Sequence, residues 1–373
     1  MRLPVSLHGV RTIAVLELRQ RLRTSRWPVV LGIWFLIIGA VAGLTWWAVH
    51  DQPGDRGATL YDVVLFFVLG LGMLVVPSLT ATSINGDRER GVLATLQTTL
   101  LTSADIVVGK LVAAWAISLA FLLAASPFLV WAWVAGGVEV GRVLLALAVL
   151  VFVLAVVCAL GLMFSTLTAR TISSAVLTYL TVAALTFGTV IAFLLSIPIM
   201  ETQQSVRVKA LPDSWYQEHQ PTEGNSFVEP TAADCVFVTR EQPIIHTERT
   251  WWLLALNPFV VVADAAPSRK PLTYLGFEPL QMISDGARTA RMGPTPPMSD
   301  PLNECLFASQ PNPGEGDGFE QQQQVQRERL NRVHAVWPYG FVFLGVIGAG
   351  SAMVAVRRLR TPIRRLPRGT RIA

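Results

Sequence analysis

VLLALAVLVFVLAVVCALGLMFSTL, residues 143–167, runs for twenty-five positions without Asp, Glu, Lys or Arg. As a helix rising 1.5 Å per residue it reaches about 37 Å, more than the roughly 30 Å of hydrocarbon in a bilayer. Working outward, five more uncharged apolar runs appear, at about 28–49, 63–84, 111–134, 172–199 and 336–356. The chain of 373 residues is 52% hydrophobic and 15% charged, against about 25% charged in an ordinary soluble domain. The fold class read from this is an all-α polytopic membrane protein with six transmembrane helices. The Ala40-Val41-Ala42 triplet in the first run resembles a cleavage site, but the apolar run continues through Trp46, Trp47 and Val49, beyond a signal peptide's core. A retained span is expected.

The formal charge is +5, and its distribution points to membrane orientation rather than nucleic acid. Arg2, Arg11, Arg19, Arg21, Arg23 and Arg26 precede the first run, and Arg357, Arg358, Arg360, Arg364, Arg365, Arg368 and Arg371 follow the last. The positive-inside rule places both tails in the cytoplasm, which six spans allow. The loop with Arg88, Arg90 and Lys110 then also lies inside, while residues 50–62, with Asp51, Asp55 and Asp62, are expected in an outer loop. The tail arginines suit anionic headgroups of membrane lipid.

Three segments follow: 1–199 with the first five spans, an insert over 200–335, and 336–373 with the sixth span and a basic tail. The insert holds seventeen acidic and eleven basic residues and is expected outside the cell, since long domains translocate regardless of charge. Prolines crowd Met292–Gly318. The run Gln321–Gln324 reads either as a helix feeding the sixth span or as linker. Within the insert, the apolar stretch Trp251–Ala263 is too short to cross a bilayer and is broken by Asn257-Pro258. It suits a core helix of an external domain, an interfacial helix or a re-entrant element. Cys235 and Cys305 share the insert, where a disulfide between them is expected in an oxidising compartment.

Catalytic chemistry is not legible. There is no GxxxxGK[ST] phosphate loop, no G-x-S-x-G, and the five His lack metal-ligand spacing. No cofactor is expected. The six apolar runs also lack the ionisable relays of ion-coupled transporters, so energy for uphill transport is expected from outside the chain.

Between the second and third runs stands INGDRERGVLATLQTTLLTSADIVVGK, residues 84–110. Asp87 and Glu89 are read as flanking a helix start, where negative charge suits the dipole. Val92, Leu93, Leu96 and Leu100 recur at helical spacing as an apolar stripe, and Asp105 marks a second helix start. The stripe suits either a protein groove or a lipid surface. At the N-terminus Leu7, Val10, Ala14, Leu18 and Leu22 form another stripe among arginines, as in an interfacial helix.

Asp87, Arg88, Glu89, Gly91, Leu93, Leu96, Thr98, Thr99, Leu101, Gly109 and Lys110 together resemble the cytoplasmic coupling loop of ABC exporter permeases of the second type. Val92, Ala94 and Leu100 depart from that pattern, Leu100 standing where Pro is usual. Glu17-Leu18-Arg19 resembles the family's N-terminal elbow helix, and Leu256-Asn257-Pro258-Phe259 resembles a short motif between its fifth and sixth spans. The resemblance implies a non-catalytic permease subunit in a bacterial cell membrane. Its implied partners are cytoplasmic ABC ATPase subunits and a second permease, identical or related. The residues implied in coupling are Asp87, Glu89, Gly91, Leu93, Leu96 and Leu100, with Glu17 and Arg19 on the interfacial helix. An importer's Glu-Ala-Ala…Gly loop is not found. A non-transporting sensor or scaffold, whose insert binds a partner outside, is the alternative.

Overall fold

The computed structural model describes residues 6–23, 26–50, 56–91, 101–218, 231, 233–266, 277–294, 302–303, 328–330 and 332–360. Six of its helices are long and apolar enough to cross a membrane. A helix precedes the first of them, and a large non-membrane region separates the fifth and sixth.

Helix α1 is Leu7–Leu22, and the first span is α2, Arg26–Ala48. The second span, α3 (Arg56–Thr80), continues after a short break into α4, Ser83–Glu89. The third and fourth spans are α5 (Ser103–Val134) and α6 (Val140–Leu167). The fifth combines α7 (Thr171–Ala183), a π turn at Ala184–Gly188, and α8 (Thr189–Ser196). The sixth is α13, Trp337–Arg360. Buried side chains of α3, α5 and α6, such as Leu65, Leu69, Ile117, Phe121, Leu150 and Val153, form the common core.

The chain divides into two compact units. The first comprises 1–190, 253–287 and 335–373, so residues 253–287 of the insert cluster with the spans. There α10 (Trp252–Ala255) and α11 (Pro258–Ala265) are separated by Asn257, which caps α11 through Phe259 N at 2.9 Å. Val260–Ala265 are buried, and Phe259 lies against Phe66 of α3 at 5.5 Å between ring centres. Packing of this stretch against the spans sets aside the core helix of an external domain. The second unit, 191–252 with 288–334, holds β1 (Glu201–Ala210), the short helix α9 (Asp213–Glu218) and β2 (Val236–Ile245), with β1 and β2 antiparallel and β3 (Leu302–Asn303) parallel to β1. This small sheet was not anticipated by an all-α reading. Cys235 at the foot of β2 is disulfide-bonded, Cys158 is free, and Cys305 lies outside the described residues.

Asp62 is not in a loop: α3 begins at Arg56, and Asp62 lies buried on it. Its carboxylate accepts Leu280 N at 2.9 Å and Gln281 N at 3.0 Å, the opening amides of α12, Pro279–Met292. A protein partner rather than lipid meets this polar turn, so hydropathy alone truncates the helix. The span helices therefore carry Asp62, Asp105 and Lys110, although the apolar runs do not. On α1, Gly9, Ile13 and Ala14 are buried and Leu18 packs against the core, while Leu7 and Leu22 of the expected stripe are exposed.

Candidate coupling site

The two described ends of the segment 84–110 are held by an internal charge cluster. Lys110, on the second turn of α5, is 2% exposed. Its Nζ lies 2.7 Å from Asp87 Oδ2 on α4 and 2.9 Å from Glu17 Oε2 on α1. Arg21 donates to the other Glu17 oxygen at 3.0 Å and to Leu79 O at 2.9 Å, while Arg90 pairs with Asp87 Oδ1 at 3.0 Å. One buried ammonium thus ties together three helices distant in sequence. Burial pushes the Glu17 carboxyl up, but Lys110 and Arg21 outweigh it and hold it below its ordinary value.

The backbone around this cluster is built to bring α1 and α5 together. Thr102 caps α5, with its side chain accepting Asp105 N and Asp105 accepting Thr102 N in a reciprocal capping box. Asp105 also accepts Ser6 N at 2.7 Å, which docks the start of α1. Gly109 permits the close crossing: a Cβ there would stand 2.6 Å from Ile13 Cβ and 3.0 Å from Val10 O.

Helix α4 is capped from another span. Thr82 makes no side-chain cap, and Ser165 Oγ of α6 instead accepts Ile84 N at 2.9 Å and Asn85 N at 3.1 Å. These are orphan donors of the first turn. Asn85 Nδ2 adds a bond to Thr168 Oγ1 at 3.0 Å.

Asp87 and Glu89 sit in the last turn of α4, not at a helix start, which corrects the sequence reading. The stop is Gly91, whose φ of 75° is the left-handed conformation that favours glycine just past a helix end. Asp87 faces inward to Lys110, whereas Glu89 is exposed and accepts Thr171 N at 3.4 Å. Arg19 is exposed on α1. Leu93, Leu96 and Leu100 lie outside the described residues. Sequence reasoning singled out Asp87, Glu17 and Lys110 separately but missed their convergence. The available signal was a charge at each of three helix ends that the topology places on one side.

A family model for the ABC-2 type transporter matches residues 9–217, more than half the chain. The chain belongs to the ABC-2 type transporter family. No curated protein matches it. ABC-2 permease domains are non-catalytic transmembrane subunits, and among the described residues no group of three His, Cys, Asp or Glu is placed to hold a metal. As an ABC-2 permease, the chain is a multi-pass membrane protein whose family pairs with ATPase subunits and lipid.

Proposed function

We propose that this permease forms half of the translocation pathway of an ATP-driven exporter in a bacterial cell membrane, with both termini in the cytoplasm. It pairs with a second permease, identical or related, and with cytoplasmic ATPase subunits that engage the loop 84–110. The observation that supports this reading is the Lys110 cluster: force applied to α4 is delivered at once to α1 and α5 through Asp87, Lys110 and Glu17. Such a clamp suits a loop that receives mechanical work better than one resting on lipid.

The surface offered to the ATPase is then the Leu93, Leu96 and Leu100 stripe with exposed Glu89 at its rim, while Asp87 acts from inside. Burying one Leu contributes about 1.5–3 kcal/mol, and an exposed ion pair roughly 0–1 kcal/mol. Leu96→Asp is expected to reduce co-purification of the ATPase and ATP turnover far more than Glu89→Ala. Full ATPase complement and turnover in Leu96→Asp would overturn the coupling role and favour the sensor or scaffold reading.

A further inference from the structure

The fifth span is interrupted at its middle by the π turn Ala184–Gly188, where Thr189 N bonds back to Ala184 O. A π turn carries one residue more than an α turn, displaces the regular ladder, and occurs mostly as a single turn within an α-helix, frequently at functional sites. Here it coincides with Asn257, 3% exposed. Asn257 Nδ2 donates to Thr186 O at 2.6 Å and to Thr189 Oγ1 at 3.0 Å. The same side chain caps α11 by accepting Phe259 N through Oδ1. Both ends of one amide are therefore in use, one on each helix.

The far end of α11 is fastened too. Buried Asp264 accepts Val336 N and Trp337 N, the latter at 2.8 Å, at the opening of α13, and Ser284 Oγ of α12 at 3.1 Å. Helix α11 is thus a crossbar from the π turn of the fifth span to the first turn of the sixth. Its two fastenings differ: the carboxylate of Asp264 meets several fixed donors, whereas Asn257 meets a backbone that has a second regular state, the uninterrupted α-helix.

We infer that Asn257 is a positioning residue that holds the fifth span in its π-turn geometry, so that displacement of α11 and rearrangement of that turn occur as one event. Its relevance to transport rests on the permease reading, but the contact itself does not. Discrete changes of helix register are a known means of turning a small displacement into a switch.

Asn257→Asp separates the two roles of the amide. Asp caps a helix as well as Asn does, so Phe259 N keeps its partner, while an ionised carboxylate offers no proton to Thr186 O. Hydrogen exchange of the full chain in lipid nanodiscs, against wild type at the same pH, reads the result. Exchange across 184–190 is expected to rise about tenfold on loss of this buried bond, with 258–265 unchanged. Burial favours the neutral carboxyl, which regains a donor, so the excess should shrink as the pH is lowered from about 8 to about 5. Thr189→Val, which removes an acceptor of Asn257 together with the hydroxyl's own bond to Leu185 O at 2.8 Å but no cap, should raise exchange at the same residues independently of pH. Wild-type exchange in Asn257→Asp, or equal loosening of 184–190 and 258–265 at every pH, would overturn the inference. Either result leaves the Leu96→Asp test of function untouched.

Discussion

Lys110 and Asp87 meet at 2.7 Å from two different helices, with Lys110 almost wholly buried. Glu17 approaches the same ammonium at 2.9 Å from a third helix, giving two carboxylates on one internal cation. The extra charge is balanced from the sides by Arg21 and Arg90. Such a cluster fixes the relative placement of α1, α4 and α5, because Lys110 cannot leave without depriving both carboxylates of their shared cation.

Lys110→Met keeps much of the side-chain length and removes the charge, leaving Glu17 and Asp87 without their shared cation. Breaking a buried pair from one side costs about 3–5 kcal/mol, whereas replacing all partners by neutral groups is often close to neutral. Thermal or denaturant unfolding in detergent should therefore show a large loss for Lys110→Met. Most of it should return when Glu17→Gln and Asp87→Asn are added. A single variant as stable as wild type would show that the cluster is not holding the helices.

Acid should open the same cluster. The folded-state pKa of Glu17 is depressed below its ordinary 4.5, the attraction of Lys110 and Arg21 prevailing over the opposing effect of burial. A depressed carboxylate contributes stability that is fully present above the ordinary value. That contribution is lost as the pH falls from there through the folded value. Melting temperature measured downward from about pH 6 should thus fall less steeply below 4.5 in Glu17→Gln than in wild type. Parallel acid limbs in the two proteins would refute the assignment.

The spans were legible because twenty or more uncharged residues have only one solvent in which they make sense as helices. Their ends were not, because hydropathy does not distinguish a polar residue meeting water from one meeting a helix N-terminus. Asp62 shows this, being buried beneath α12 where a loop was expected. Glu17 and Arg21 mislead in the same way on α1, where polar residues turn inward to partners supplied from elsewhere in the chain. Ser165 capping α4 is wholly non-local, and its sequence neighbourhood is merely the end of an apolar run. The Asn257-Pro258 break was visible as a helix boundary, but its bond to the π turn was not, since nothing in Ala184–Gly188 marks a π geometry.

Cys235 is disulfide-bonded and Cys158 is a free, buried thiol, and the chain has three cysteines. We propose Cys305 as the partner. That bridge closes a loop of about 70 residues, for which chain entropy alone gives a stabilisation of roughly 4 kcal/mol. Non-reducing peptide mapping of membrane-inserted protein should recover the two cysteines in one linked fragment. Reduction, or Cys235→Ser, should raise protease sensitivity within 191–252 and 288–334 while the spans keep their helical signal. If mapping instead finds alkylated thiols at both positions, or a covalent dimer through Cys235 on a non-reducing gel, the pairing is refuted.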